Sequence, residues 1–180
     1  IKHRLDEYYD KTKPVAHFYM EKKKYHPIDG VGEIAEVAQR LNEVVGSKLK
    51  EAWQNVIVFG RPGAGKGRQA ERLAKKYNFV FIATAEMMRE EIAKGTAIGK
   101  EAQGFMEAGQ LVPDEIPIRL IEGKIQQNQD ARGFIFKGFP RTIVQAYILE
   151  GLLRRMNSSV SCMIHFEMPM LQCIKRLKAR

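Results

Sequence analysis

This sequence has little that would staple it covalently or carry it across a membrane. Its 180 residues include two cysteines, Cys162 and Cys173. Their separation is not a metal-ligand spacing, so neither a zinc site nor a disulfide framework is expected, and both thiols are expected to be reduced, buried or incidental. No apolar run approaches the roughly 20 residues of a membrane-spanning helix, and no N-terminal signal pattern is present. The expectation is a soluble, cytoplasmic chain with no membrane partner. Ile1 in place of a methionine reads as a chain processed, engineered or cut from something longer.

Acid is also in short supply. Asp and Glu number 21 against 30 Lys and Arg, a formal charge of +9. Such an excess suits polyanionic ligands, whether nucleotides or a nucleic acid. The basic residues are spread along the chain and are not interleaved with aromatics as on nucleic-acid surfaces. Small phosphate ligands are therefore favoured and a nucleic-acid partner is not expected. The length suffices for one domain with a substantial core.

What is present is a strand, a glycine-rich turn and a helix within Asn55 to Tyr77. Val56-Ile57-Val58-Phe59 reads as a buried strand. Gly60-Arg61-Pro62-Gly63-Ala64-Gly65-Lys66 follows, and then a helical pattern with Ala70, Leu73 and Ala74 on one face. The G-x4-G-K spacing is that of a phosphate-binding loop. Glycines let the backbone approach a ligand, successive amides point into one concavity at the positive end of a helix, and Lys66 adds a full charge. Gly67 stands where such loops carry a Ser or Thr to hold Mg²⁺, so no hydroxyl is available there.

The rest of the chain alternates. Residues 1–23 have a helical pattern that Pro14 either kinks or restarts. A short strand over 24–29 is placed at an edge by Pro27. A helix over 33–45 is ended by Gly46, and residues 46–54 read as a linker with Trp53 packed on the body. Strands at 79–82, 133–136 and 160–166 alternate with helices over 87–94, 115–127, 142–155 and 170–180, with two helical pieces between Gly95 and Gly109 and with Asp114 as a cap. Alternation of this kind predicts an α/β fold, a doubly wound parallel sheet whose ligands sit beyond the carboxyl ends of the strands. The phosphate loop, Thr84/Arg89 and Gly138–Arg141 all fall at such ends.

The stretches GRPGAGKG, TAEMMREEI, GQLVPDE and GFPRTIVQA resemble those of adenylate kinases, nucleoside monophosphate kinases with a P-loop nucleoside triphosphate hydrolase-like fold. The motifs run through residues 55–180 in family order. Residues 1–46 resemble the family's C-terminal part, so the tail of the pattern precedes its head. Read cyclically, only the short lid loop between Arg180 and Ile1 is missing. The order fits a circular permutant joined through residues 47–54, or the junction of two tandem kinase domains in a longer protein or assembly. One compact domain is favoured, in which residues 55–180 form the phosphate-loop core and residues 83–112 its monophosphate-binding part.

The resemblance implies roles. Lys66 and the segment Gly63, Ala64, Gly65, Gly67 and Arg68 would hold the ATP phosphates, with Gly32 beside the adenine. Thr84, Arg89, Gly138, Phe139 and Arg141 would hold AMP, Leu111 and Val112 would line its base pocket, and Gln145 would hydrogen-bond its adenine. Arg4 and Arg180 match arginines flanking the lid, and with Lys66 and Arg141 would act on the transferring phosphoryl group. The products would be two ADP. Mg²⁺ is implied as the cofactor, with no protein side chain as its direct ligand. Three positions depart from the family. Lys137 replaces an Asp that orients the water around Mg²⁺, Arg68 replaces a Thr, and Ala85 replaces a Gly. The cations at 68 and 137 could partly stand in for the metal, or the site could be a nucleotide-binding module without turnover.

Overall fold

Unbroken apolar runs such as Val56–Phe59 suit strands covered on both faces, which is the condition of a parallel sheet with helical crossovers. A computed structural model of the chain, which describes residues 2–48 and 54–179, shows that arrangement. The strands β1 (Tyr25–Asp29), β2 (Gln54–Gly60), β3 (Val80–Ala83), β4 (Gly133–Lys137) and β5 (Val160–Glu167) form one five-stranded sheet in the order β1-β5-β2-β4-β3. Every neighbouring pair is parallel. The helices are α1 (Lys2–Glu7), α2 (Pro14–Glu21), α3 (Ile34–Lys48), α4 (Lys66–Tyr77), α5 (Thr84–Ala93), α6 (Ala97–Ala108), α7 (Glu115–Gln126), α8 (Ile143–Arg154) and α9 (Met170–Lys178), with a π-helical turn at Tyr8–Thr12.

Strand alternation sorts the core into two layers. Ile57 and Phe59 join Phe134, Phe136 and Met163 on one face, under Tyr8, Val15, Tyr19, Ile121 and Leu149 of the helices around it. Val56 and Val58 join Ile135, Ile164 and Phe166 on the other, under α3, α4 and α9. A fully buried side chain such as Phe136 contributes about 1.5–3 kcal/mol. A smaller cluster of Met88, Ala102, Val112 and Ile116 ties α5 and α6 to the start of α7. β1 lies at the sheet edge beside β5, where a proline without an N–H is tolerated.

Several local expectations need correction. Of the two readings of Pro14 the second holds, since it restarts the chain as the first residue of α2 after the π-helical turn. α3 runs through Gly46 to Lys48, because a glycine costs a helix only about 1 kcal/mol and does not by itself stop it. The stretch expected as a linker thus supplies the end of α3 and, at Gln54, the first residue of β2, while residues 49–53, Trp53 among them, lie outside the described residues. Ala97–Ala108 is a single helix, not two pieces. Asp114 precedes α7 without a side-chain capping bond. Both cysteines are buried and unpaired with each other.

Candidate active site

The carboxyl ends of β2, β3 and β4 open into one cavity of about 260 Å³. Its first wall is the loop between β2 and α4. Gly63 (φ 88°) and Gly65 (φ 83°) are left-handed, a conformation that favours glycine. A Cβ on Gly63 would also stand 2.7 Å from the Cys173 carbonyl oxygen, so the loop lies directly on α9. Gly65 caps α4 with no side-chain bond, which leaves first-turn amides for another acceptor. Ala64 N–H and Lys66 Nζ both donate to the Arg61 carbonyl, at 3.2 and 3.0 Å. The Arg61 guanidinium donates to the Met168 carbonyl at 2.5 Å and lies 5.3 Å from the Tyr9 ring centre.

The facing wall is a chain of side-chain hydrogen bonds. Asp114 Oδ1 accepts from Gln145 Nε2 at 2.6 Å, and Gln145 Oε1 accepts from the Arg141 backbone N–H at 2.7 Å. Arg141 Nε donates to the Gly138 carbonyl at 2.9 Å, which also accepts from Thr84 Oγ1 at 3.1 Å. Thr142 caps α8 through the Gln145 N–H. Burial, and then the charge of Arg4, push the Arg141 guanidinium below its ordinary pKa, while Glu86 opposes them.

The described lining carries five cations, Arg4, Lys66, Arg89, Lys137 and Arg141, against one carboxylate, Glu7. Lys137 Nζ meets Glu86 Oε1 at 2.5 Å, and Arg89 reaches the same oxygen at 3.8 Å. The site therefore favours a ligand with several negative charges.

Of the residues expected in the site, Lys66, Thr84, Arg89, Leu111, Val112, Gly138, Phe139, Arg141, Gln145 and Arg4 line this cavity. Phe139 is itself in the core, and Gln145 is 3% exposed with both ends of its amide engaged. Gly63, Ala64, Gly65 and Gly67 form the loop and helix start beside Lys66 without lining the cavity, and Arg68 is exposed on the first turn of α4. Gly32 is in an exposed turn next to Glu36, away from the cavity. Arg180 lies outside the described residues.

The residues that sequence reasoning passed over are Asp114 as the acceptor for Gln145, Glu86 as the partner of Lys137, and a trio beneath the loop. His165 on β5 has Tyr8 Oη at 3.1 Å from Nε2 and Tyr25 Oη at 2.5 Å from Nδ1. Burial, and then Arg61, lower the imidazole pKa to about 4, so it is neutral near pH 7 and its 3.8 Å approach to Glu167 is no ion pair there. A neutral ring has one N–H, so one tyrosine donates to it and the other accepts. Burial pushes the Tyr8 hydroxyl up to about 12. A Pro or Gly marks a loop in sequence, but a His among apolar residues of a strand marks nothing until its partners are placed.

Comparison with known proteins gives a consistent result. The model of the family described as adenylate kinase matches residues 58–179. The chain is 43% identical to the adenylate kinase of Archaeoglobus fulgidus over 126 residues, which are 70% of this chain and 58% of that protein. It is 43% identical to the adenylate kinase of Bacteroides thetaiotaomicron over 128 residues, 69% of this chain and 68% of that one. With the adenylate kinase of Lactobacillus acidophilus it shares 44% over 126 residues, again 58% of the relative. The match thus spans about three fifths to two thirds of the length of these relatives.

Proposed function

This chain belongs to the adenylate kinase family, and from that membership we propose that it transfers the γ-phosphoryl group of ATP to AMP, reversibly, giving two ADP. The observation that carries the reading is the placement of Lys66, at the start of α4, and Arg89 and Arg141, on the opposite wall, around one cavity at the strand ends.

The ATP phosphates lie in the loop, on the amides of Gly63 to Arg68, with Lys66 on the β- and γ-phosphates. AMP lies across the cavity, its phosphate on Arg89 and Arg141 and its base against Leu111 and Val112. Thr84 and Gln145 face the AMP side, although Gln145 already holds Arg141 and Asp114, which leaves its second amide hydrogen for adenine. An AMP phosphate oxygen attacks the γ-phosphorus in line, the bond from that phosphorus to the bridging oxygen breaks, and the electrons stay on the departing ADP. No protein nucleophile is required. Catalysis is positioning together with stabilisation of charge on the transferring oxygens by Lys66, Arg4 and Arg141. Arg180 shares that role in the family pattern. Closure of residues 83–112 over the cavity would exclude water.

Mg²⁺ is the family's cofactor. One residue at its place does not fit it: the Lys137 ammonium, beside Gly67 and paired with Glu86, stands where the family has an Asp. The order of segments is read as one permuted core, supported by the pairing of β1 with β5 and the packing of Phe18 in α2 on Tyr147 in α8.

The test is ADP formation by the purified chain from ATP and AMP. Turnover that requires AMP and Lys66 supports the reading. Binding of a bisubstrate dinucleotide without turnover would reduce the chain to a nucleotide-binding module, and absence of both would remove the reading.

A further inference from the structure

We propose that Lys137 is a positioning residue for the monophosphate substrate: its ammonium holds and neutralises the Glu86 carboxylate, which leaves the Arg89 guanidinium to the AMP phosphate. The proposal rests on the kinase reading above and deepens it on the AMP side.

Three observations meet at Glu86. First, the fold brings the two charges together. Lys137 ends β4 in register with Ala83 of β3, and Ala83 leads directly into α5, whose first turn carries Glu86. Glu86 Oε1 accepts from Lys137 Nζ at 2.5 Å, the Lys137 side chain is 20% exposed, and the Phe81 ring centre lies 5.9 Å from the ammonium. Second, Glu86 has a competing partner. Arg89 stands at i+3 on the same face of α5, with its guanidinium 3.8 Å from the same Oε1, within ion-pair range but too far for a hydrogen bond. The Arg89 side chain is 62% exposed and lines the cavity. Third, the carboxylate bears on the rest of the phosphate seat. Its charge is felt at the Arg141 guanidinium, where it opposes the effects of burial and of Arg4. Its second oxygen, Oε2, is out of contact with solvent and has no hydrogen-bond partner.

The charge argument follows from these partners. An acid three residues before an arginine on one helix pairs with it by default. Here the acid is turned to a group on another element. Lys137 makes the hydrogen-bonded, less exposed contact, and Arg89 the longer, more exposed one. Without the ammonium, Arg89 is the cation already within reach of Glu86, and an unanswered carboxylate stands beside the seat of a dianionic phosphate. The first effect occupies the arginine and the second repels the ligand, so both oppose AMP. A purely structural tie between β4 and α5 would behave differently, because it is lost when either partner is removed. Removing Glu86 together with Lys137 takes away the repulsion along with the tie, so the two roles part at the double variant.

The experiment is calorimetric titration of AMP, without ATP, into the 180-residue chain and into Lys137→Met, Glu86→Gln and Glu86→Gln/Lys137→Met. Methionine keeps the aliphatic stem near Phe81 and removes the charge. The expected result is that Lys137→Met weakens AMP binding by about tenfold, while Glu86→Gln and the double variant stay within about threefold of wild type. Lys137→Arg keeps the charge and is also expected to stay within about threefold. In steady state, KM for AMP should rise in Lys137→Met and return in the double variant. If Lys137→Met does not fold, as read by its thermal transition, Lys137→Gln takes its place in the same cycle. AMP binding by Lys137→Met equal to that of wild type, or a double variant as weak as Lys137→Met, overturns the proposal and leaves the kinase reading standing. A wild type that binds neither AMP nor a bisubstrate dinucleotide overturns both.

Discussion

The two walls of the cavity are built from different materials. The loop wall is backbone, held by the left-handed Gly63 and Gly65, by the Arg61 carbonyl that accepts from Ala64 N–H and Lys66 Nζ, and by the uncapped start of α4. The facing wall is a relay of side chains, Asp114 to Gln145 to the Arg141 backbone, with Arg141 and Thr84 meeting at the Gly138 carbonyl. A backbone wall offers many weak donors whose direction is set by φ and ψ, and one charged side chain can be removed without disturbing it. A side-chain wall is only as good as its least satisfied member, because a buried polar group that loses its partner costs more than the bond was worth. Binding and stability should therefore separate at the loop and travel together across from it.

Lys66→Met breaks the comparison most sharply. The expected outcome is a fall of about 10²–10³-fold in kcat/KM for ADP formation, with a change of about 1 kcal/mol or less in unfolding free energy. A steady-state assay beside a urea titration checks both halves. On the other wall, Gln145→Leu leaves the Arg141 N–H and the Asp114 carboxylate without their partner, and is expected to cost about 2–3 kcal/mol in the urea titration together with a loss of AMP affinity.

The seat beneath the loop gives a pH-dependent test. His165 has a folded pKa near 4, below its unfolded value, so the unfolded chain takes up a proton first as pH falls. Its contribution to stability is complete above about pH 6.5 and is lost as pH falls toward about 4, at a rate of about 2 kcal/mol between pH 6.5 and 5. Denaturant titrations across that range should show the slope in the wild type and a flatter one in His165→Gln. The smallest expected effect lies in α6. Gly104 is exposed in mid-helix, and a Cβ there meets nothing within 4 Å. Gly104→Ala should raise stability by about 0.5–1 kcal/mol, read as a higher thermal midpoint with the loop wall untouched.

The same contrast governs what the sequence could tell. Glycine spacing encodes the loop wall locally, and apolar runs at Val56–Phe59 and Phe134–Phe136 encode the strands, so both are legible from neighbours in the chain. The alternation of elements also placed Thr84, Arg89 and Arg141 at strand ends, where they line the cavity. The relay was not legible, because Asp114 and Gln145 lie on different elements and Asp114 looks like a helix cap on local grounds. Glu86 with Lys137, and His165 with Tyr8 and Tyr25, are likewise pairs made by sheet order and not by spacing. Gly46 misled in the opposite sense. Its local cost is real, but the packing of Val37, Leu41 and Val45 on the sheet carries α3 past it.

The position of β1 bears on how the molecule comes together in time. Tyr25 pairs with Met163, and Asp29 with Glu167, across most of the described chain. During synthesis the edge strand leaves the ribosome long before the strand it must join, and β5 exposes an open rim of amides and carbonyls until β1 docks. Loop closure of that length slows folding, and an unpaired edge invites association with other chains. The segment bearing Tyr8, Arg4 and Tyr25 is thus held in reserve, and the cavity acquires that side only when the sheet is complete.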